Sequence, residues 1–272
     1  MLLAAAFTAH PYRNASASGS PRASAAESFF QKHYAPAGIT VAIAGDIGVT
    51  EAKRLAQKYF AALAARPAPA RNTREEIAQE GSRRVEVEFP GRPMVLAGYK
   101  RPDERHADDA VLDILAVVLS GGKNGWLYRD LVAGSGVAEI AYATPSFPGG
   151  RFPNLFLVSA IAANGRGADE VEKAIQATLD RLKEERIGEE ALERAKRRTR
   201  ATFVQQLETN AGMARALAFF RARYGDWRKI TSVLDEIGRV TEDDVRRAAR
   251  AYFVARGRTV AVSVTPESGG AR

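Results

Sequence analysis

The chain has 272 residues, 46% of them hydrophobic, which is enough for one large or two ordinary domains with real cores. It contains no cysteine, which excludes a disulfide framework and any thiolate metal site and leaves the bacterial cytoplasm and periplasm both open as compartments. Its formal net charge of +8 raises the question of a nucleic-acid partner.

The basic residues give no sign of a nucleic-acid interface. The densest basic run, Arg194 to Arg200, lies in a segment whose other residues recur at helical spacing. We therefore expect the basic side chains to form the solvated face of a helix. No recognition motif that interleaves aromatic and basic residues accompanies it. We therefore expect no nucleic-acid partner.

The N-terminal segment is apolar for nine residues and has no Lys or Arg before them. It is too short to span a membrane and lacks the charged start of a signal peptide. The pattern instead predicts the tail of a helix that is broken at Pro11.

Residues typical of turns and loops follow Pro11. The periodicity after them predicts a helix from Ala25 to His33, a strand from Ile39 to Ala44 and a helix from Thr50 to Ala64. From Ala65 to Ser82 the periodicity disappears, and the segment is rich in Pro, Ala and charge. These features predict an interdomain linker.

The periodic pattern restarts after the linker with two strands that bracket the turn Pro90 to Pro93 as hairpin-like neighbours. The remaining predicted elements are helices at Asp108–Leu119 and Trp126–Val132, strands at Val137–Thr144 and Leu155–Ala162, helices at Asp169–Glu185, Glu189–Glu208, Met213–Tyr224, Trp227–Ile237 and Asp243–Phe253, and a strand at Thr259–Val264. This order predicts an α+β fold, in which an antiparallel or mixed sheet carries helices on one face.

Two stretches share the same sequence pattern and form an internal repeat, AAESFFQKHYAPAGITVAIAGDI and DDVRRAARAYFVARGRTVAVSVTP. Each runs from an amphipathic helix through a Tyr and a short turn into Thr-Val-Ala, and the copies lie about 220 residues apart, too far for a solenoid. The repeat predicts two related domains. We expect residues 1–66 to be the C-terminal remnant of the first, 67–82 the linker and 83–268 the complete second domain.

Three segments, FFQKHYAPAGITVAIAGDIGVTEAKRLAQKYF, GYKRPDERHADDAVLDILAVVLSGGKNGWLYRDLV and the closing TVAVSVTP, resemble the insulinase/pitrilysin family of zinc metallopeptidases, which includes the mitochondrial processing peptidase. The resemblance implies two related α+β domains that form a clam shell around a peptide. It also implies that this chain corresponds to the end of the first domain and all of the second.

The zinc motif of that family, H-x-x-E-H, is missing from this chain. Two His on successive helical turns bind the metal and the Glu activates water, but only His10, His33 and His106 occur here, without that spacing. We expect no catalytic residue and no metal ligand in this chain, with zinc held by the full family enzyme or a partner subunit. His10, in the HPY segment, is interpreted as a loop anchor.

The resemblance also implies a substrate-holding Arg and Tyr, seven residues apart, in the second domain. The aligned positions carry Val132 and Glu139, which removes that chemistry. Arg129 and Tyr142 lie nearby as possible substitutes, and each also has a plain alternative: Arg129 packs along its helix and Tyr142 faces the core.

A glycine-rich stretch, SGGKNG, lacks the pattern of a phosphate loop. It resembles the loop that reaches the substrate cavity in processing peptidases, which makes candidates of Gly121, Gly122, Lys123 and Asn124. The alternative is a helix C-cap and turn. The acids of the nearby HADD, His106 to Asp109, are interpreted as helix caps and dipole partners.

These observations favour the non-catalytic half of an insulinase-like peptidase, inactive alone, which forms the substrate-chamber wall beside a catalytic H-x-x-E-H subunit or a missing N-terminal segment. The alternative is a structural or assembly protein without a peptidase role. A truncated first domain exposes an unpaired strand edge, so we expect residues 1–66 to be loosely held or bound to a partner, and proteolysis to begin between Ala65 and Ser82.

Overall fold

The computed structural model describes residues 1–14, 22–64, 66–68 and 74–264, so part of the predicted linker lies outside the described residues. The chain divides into two compact units: Met1–Ser16 with Arg74–Ala201 and Leu234–Arg272, and Ala17–Thr73 with Thr202–Val233. The helices are α1 (Leu2–Ala6), α2 (Ala23–His33), α3 (Val49–Phe60), α4 (Asp109–Ser120), α5 (Ala168–Glu184), α6 (Glu189–Leu207), α7 (Asn210–Tyr224), α8 (Lys229–Arg239) and α9 (Glu242–Tyr252). None of the described helices combines the length and apolarity needed to cross a lipid bilayer.

The first unit is built on a five-stranded mixed sheet with the order β1-β5-β2-β4-β3. The strands are β1 (Arg83–Glu88), β2 (Met94–Arg101), β3 (Ala138–Phe147), β4 (Asn154–Ala162) and β5 (Arg258–Val264). β1 and β5 are parallel and the other pairs are antiparallel. The mixed sheet with packed helices confirms the predicted fold class.

The predicted pairing of β1 with β2 is wrong, because β5 lies between them. β1 alternates half-buried and exposed residues, as suits an edge. In contrast, Val260 and Val262 on one face of β5 and Thr259 and Ala261 on the other are all at most 6% exposed. A strand that is apolar on both faces gains most from a position inside the sheet.

One face of the sheet is covered by α4, α5 and α9. Phe253, just after α9, places its ring edge-on against Tyr99 and Phe156, with centroids 5.2 Å and 5.1 Å away. All three side chains are at most 1% exposed. These aromatic contacts fix α9, and with it the start of β5, against the centre of the sheet.

The other face, called here the open face, is only half covered. α1 and Phe7 lie across it and bury a small apolar cluster together with the sheet, made of Leu2, Leu3, Ala6, Phe7, Leu155, Leu157 and Ala261. The expectation that residues 1–66 are loosely held is therefore wrong for the first part of that range. The apolar N-terminal residues find a core on the sheet of the first unit.

Glu76, inside the predicted linker, fastens this N-terminal segment to the sheet. Its carboxylate accepts hydrogen bonds from the backbone N–H groups of Thr8 (2.8 Å), Ala9 (3.0 Å) and His10 (2.8 Å). Burial alone would raise the pKa of Glu76, but these three N–H groups and the charge of Lys100 lower it to about 2. The segment from Arg74 to Ser82 has no regular secondary structure, yet it makes specific contacts.

Lys100 lies beneath this anchor on the open face. Its ammonium is 3.6 Å from the Glu76 carboxylate and 3.7 Å from the centroid of the Phe7 ring. Burial lowers the pKa of Lys100 to about 8, against the opposing effect of Glu76. Glu76 thus accepts hydrogen bonds from three N–H groups and also balances the charge of the buried Lys100 ammonium.

The second unit contains α2 and α3, but the predicted strand between them is wrong. Residues 39–44 form no strand in the described part of the chain. Ile39, Val41 and Ile43 are between 47% and 49% exposed. A strand needs a neighbour to complete its backbone hydrogen bonds, and no described segment supplies one here.

The basic run of α6 only partly matches the predicted solvated face. Arg194, Arg197 and Arg198 are exposed. Lys196 is 8% exposed and donates a 2.9 Å hydrogen bond to Glu193. One cation of the run therefore belongs to the packed side of the helix.

We expect Glu76→Gln to destabilise the protein by about 1–3 kcal/mol, because the amide supplies one acceptor oxygen where the carboxylate supplies two and leaves Lys100 uncompensated. The folded pKa of Glu76 is lower than its usual value of 4.5, so the difference from wild type should be full above pH 4.5 and shrink as the pH falls toward 2. Urea unfolding across pH measures it.

The matched control is Glu75→Gln, since Glu75 is the exposed neighbour on the same segment. It should change the free energy of unfolding by less than about 0.5 kcal/mol. Equal effects of the two substitutions would contradict the anchoring role of Glu76.

Candidate peptide-contact site

The uncovered half of the open face carries a patch of exposed apolar side chains. Met94 is 38% exposed, Ile140 49% and Tyr142 47%. The strand register places Ile161 between Met94 of β2 and Ile140 of β3. These four residues, called here the open patch, form a continuous apolar surface across three strands.

A buried polar group lies beside the open patch. Ser159 pairs with Tyr142 on one side and Leu96 on the other, and it is 2% exposed. Its hydroxyl has no hydrogen-bond partner among the described residues. A buried hydroxyl without a partner is a cost to the folded state.

Glu139 lies at the rim of the patch, where the register of β3 shifts between Ala138 and Ile140. Its carboxylate forms an ion pair with Arg92, from the turn between β1 and β2. The ion pair offsets the negative charge of the Glu139 carboxylate. Both side chains are about half exposed, so the pair adds little stability.

The glycine turn follows α4 and approaches β3. Gly122 has a φ of +76°, and a Cβ on Gly121 would lie 2.5 Å from the carbonyl oxygen of Val117, so glycine is required at both positions. The Oγ of Ser120, at the end of α4, is 3.3 Å from the carbonyl oxygen of Ala143, next to Tyr142 in β3. Lys123 and Asn124 are exposed on this turn. The structure therefore shows the helix end and turn at this stretch, and its role as a cavity loop stays a prediction.

Arg129 lies on a different element, the π-helical segment Tyr128–Gly134, and is exposed. Asp130 of that segment accepts a hydrogen bond from Thr178 (2.8 Å) and pairs with Arg181 (3.2 Å), which holds it against α5. β3 thus brings together Glu139, Tyr142 and, through Ser120, the glycine turn. The π-helical segment that carries Arg129 also contacts β3, and the Arg129 side chain itself is exposed.

The acids predicted to cap α4 have other partners. Asp108 makes no capping hydrogen bond. Its carboxylate accepts from Arg247 (2.6 Å and 3.1 Å) and from the hydroxyl of Tyr252 (2.6 Å). The Arg247 guanidinium holds the pKa of Asp108 below its usual range. Asp109 pairs with the fully buried side chain of Arg101 at 2.5 Å.

This network ties α4 to α9 and to the end of β2, and sequence analysis missed it. The one sequence feature that points toward this network is that Arg247 and Tyr252 lie on the closing helix of the internal repeat. The sequence pattern alone does not indicate which residue they contact. Burial raises the pKa of a further carboxyl on α4, Asp113, with Asp109 adding to the effect and Arg101 opposing it.

His10 has the structural role expected of it. It is 4% exposed, and its Nδ1 accepts a hydrogen bond from the N–H of Tyr12 at 3.2 Å. Its ring centroid lies 4.5 Å from that of Tyr12 and 5.1 Å from that of Phe152. Across the described ranges, no three His, Asp or Glu side chains are grouped so that they could hold a metal ion. The described residues therefore do not fit the zinc site of an active peptidase.

The profile of the family described as "Peptidase M16 inactive domain" matches residues 23–199, more than half of the chain. The chain belongs to this family. The suspected relationship to zinc metallopeptidases is thereby confirmed, and the match is to their inactive domain.

Relatives and solved structures agree with the assignment. The zinc protease PqqE of Helicobacter pylori is 28% identical over 232 residues, which cover 83% of this chain and 51% of the relative. A protease structure from Helicobacter pylori has a TM-score of 0.82 at 23% identity, covers 97% of this chain and 65% of that chain, and shows the shared fold. An inactive peptidase domain from Bordetella parapertussis has a TM-score of 0.58 at 28% identity and covers 67% and 97% of the two chains.

The chain spans about half the length of the curated relatives that it matches. Those relatives carry the name zinc protease. Zinc is consistent with the family, and the residues that would hold it are not found in the described part of this chain.

We expect Ser159→Ala to raise the free energy of unfolding by about 1 kcal/mol, because it removes a buried hydroxyl that has no partner. Ser146→Ala is the control, since the Ser146 hydroxyl donates to Asn154 at 3.1 Å and its loss should destabilise the protein. Urea unfolding of both variants measures the difference. Destabilisation by Ser159→Ala would mean that this hydroxyl is hydrogen-bonded.

Proposed function

We propose that this chain is the non-catalytic half of an M16-type zinc peptidase and that its open face forms one wall of a peptide-holding chamber. Membership in the inactive-domain family supports a role without catalytic residues of its own. The open patch supports the wall, because one face of the sheet carries helices while the uncovered half of the other leaves apolar side chains exposed.

The observation that carries the proposal is a difference between the two copies of the internal repeat. Aligning TVAIAGD with TVAVSVT matches Val41 to Val260 and Ile43 to Val262. Val260 and Val262 are 0% and 1% exposed inside the sheet, whereas Val41 and Ile43 are 49% and 47% exposed. Two β-branched residues of a strand-forming phrase are left in water, so another protein segment covers them in the working assembly.

That segment is the part of the peptidase that carries H-x-x-E-H, supplied by a longer form of this polypeptide or by a separate subunit. It binds the zinc and provides the catalytic Glu, while this chain contributes neither. In this assignment residues 1–66 end the first peptidase-like domain, residues 67–82 link the two, and residues 83–268 form the second.

The peptide contacts proposed for this chain centre on β3 and its neighbours. Tyr142 offers an aromatic surface, the turn from Gly121 to Asn124 approaches the same strand, and Glu139 with Arg92 forms a charged rim. Arg129, exposed on the π-helical segment, is a more peripheral contact.

The second candidate is a structural or assembly role with no part in hydrolysis. What favours it is that Val132 and Glu139 stand where the resemblance implies a substrate-holding Arg and Tyr. In that case the chain would still bind its partner but would leave the rate of peptide hydrolysis unchanged.

The experiment mixes this chain with the H-x-x-E-H polypeptide encoded beside it or in frame before it, and follows cleavage of a quenched fluorescent peptide. We expect no zinc and no cleavage from this chain alone, and at least about a tenfold rise in the partner's kcat/KM in the complex. A complex without that rise favours the assembly role. Stoichiometric zinc and EDTA-sensitive cleavage by this chain alone would contradict both.

Val41→Asp should weaken binding to that partner at least about tenfold, because association would bury an unpaired carboxylate. Val49→Asp is the matched control, since Val49 is 72% exposed at the first position of α3, where an acid suits the helix dipole. Affinity is measured by calorimetry. Equal loss in both variants would show that the 39–44 segment is not the interface.

A further inference from the structure

The positive charge of the chain is concentrated in its second compact unit. Residues 17–73 and 202–233 hold 12 Lys and Arg against 5 Asp and Glu, which gives a net charge of +7. The remaining residues hold 28 against 27, which gives a net charge of +1. A charge asymmetry of this kind between two parts of a chain suggests that the basic part meets an acidic surface.

One short segment of the second unit combines cations with aromatic rings. Residues 219–229, FFRARYGDWRK, run from the end of α7 to the first residue of α8 and are called here the basic-aromatic turn. They comprise four aromatic residues, four Lys or Arg and one acid, Asp226. The Asp226 carboxylate accepts the N–H of Arg228 at 3.0 Å and pairs with the Arg228 guanidinium at 3.4 Å. The turn therefore keeps a net positive charge.

Packing against α6 explains the burial of one of these rings and leaves two exposed. Phe220 is 7% exposed and meets Phe203 of α6 edge-on, with ring centroids 6.3 Å apart. Phe219 and Trp227 are 41% and 43% exposed. The Phe219 ring lies edge-on against Phe220 at 5.4 Å, so a buried neighbour holds it in place. An exposed ring that is already ordered loses little side-chain entropy when it is covered.

A guanidinium lies over each exposed ring. The Cζ of Arg223 is 5.4 Å from the centroid of Phe219, and the Cζ of Arg228 is 4.7 Å from that of Trp227. A protein partner that buried these rings would also take the guanidinium groups out of water, which is costly without paired carboxylates. The surface of an anionic bilayer accepts both groups, because rings lie at the level of the lipid headgroups while guanidinium groups reach the phosphates.

We propose that the basic-aromatic turn binds the surface of an anionic lipid bilayer. Phe219 and Trp227 insert at the level of the headgroups, and the surrounding cations contact lipid phosphates. The net charge of the second unit attracts the chain to such a surface, and each Lys or Arg close to it strengthens the attraction. This inference is independent of the proposed peptidase role.

The plain alternative is that the cations of the turn only complete α7. Arg221 and Arg223 lie in its last turn, where they suit the negative end of the helix dipole. The Arg221 guanidinium also donates to the carbonyl oxygen of Gly225, just beyond the helix end. This role accounts for two of the four cations. Arg228 and the exposed Trp227 come after the helix, so substitutions at these two residues separate the alternatives.

Binding is measured by cosedimentation of the intact chain with sucrose-loaded vesicles. We expect saturable binding to vesicles of about 70% phosphatidylcholine and about 30% phosphatidylglycerol, and at least about tenfold weaker binding to pure phosphatidylcholine. Binding to the anionic vesicles should fall at least about tenfold between about 0.05 M and about 0.5 M NaCl, because salt screens the attraction.

Two pairs of variants locate the contact. Arg228→Glu weakens binding at least about fivefold, whereas Arg256→Glu, the same charge change at an exposed residue of the first unit, leaves it within about twofold. Trp227→Ser weakens binding at least about threefold, whereas Phe89→Ser, at an aromatic residue of the first unit that is 58% exposed, does not. Circular dichroism establishes that all four variants are folded.

Tryptophan fluorescence reports the insertion of Trp227 directly. The chain has two tryptophans, and the other, Trp126, is 8% exposed. We therefore expect the emission to shift to shorter wavelength when anionic vesicles are added, and Trp227→Phe to abolish the shift while most of the binding remains.

Equal binding to the two kinds of vesicle, equal loss in both members of either pair of variants, or no change in the Trp227 emission would overturn the proposal. Release of the chain from vesicles by an oligothymidylate of about 20 nucleotides, with Arg228 and Trp227 both required for binding it, would overturn it in favour of a single-stranded nucleic acid. The vesicles contain no peptidase partner, so failure here leaves the proposed peptidase role to its own test.

Discussion

The position of Glu76 determines which half of the open face of the sheet is covered by α1 and which half stays exposed. Its carboxylate accepts hydrogen bonds from the backbone N–H groups of residues 8–10 and faces the buried ammonium of Lys100. It thereby holds α1 across one half of the open face, where α1 completes a small core. The other half, with Tyr142 and its neighbours, is left uncovered because the short helix ends before reaching it. Loss of this anchor would change the shape of the face as well as its stability.

The two units of the chain differ in how complete they are. The first has a sheet with helices on one face and α1 on the other, and residues 259–262 of its inner strand β5 are buried. In the second, the repeated phrase leaves Val41 and Ile43 in water. An inactive domain of this kind can be stable through its own sheet and still depend on another segment to shield the rest. That division fits a chain that matches about half of each curated relative.

Much of the fold could be predicted from the sequence because periodicity reports burial directly. The alternation of β1 and the helical spacing of α5 and α9 needed no tertiary information. Strand order could not be predicted in the same way. The turn from Pro90 to Pro93 resembles a hairpin turn, which suggests that β1 pairs with β2. The burial of both faces of β5 explains why β5 lies between them. The strand predicted at residues 39–44 failed because backbone pairing depends on partners that a local pattern cannot supply.

The candidate site was harder to predict, for reasons particular to its residues. Tyr142 and the glycine turn were recognised through a family resemblance, and their contact through Ser120 and β3 depends on how the chain folds. No sequence feature indicated that Glu76 is an anchor, because an irregular, charged segment has the same pattern whether it is solvated or packed. The Asp108–Arg247–Tyr252 network joins residues far apart in sequence, and the acid resembled an ordinary helix cap.

The place of β5 between β1 and β2 also constrains the order of events during synthesis. The N–H of Met94 donates to the Ser263 side chain across 169 residues of sequence, and within the described ranges β5 is the one strand beside β1. A nascent chain on the ribosome can form the β2-β4-β3 sheet early, but β1 stays unattached until the segment after α9 has emerged. Such late closure around a long loop is slow and leaves strand edges exposed, so chaperones have their longest opportunity to act in that interval.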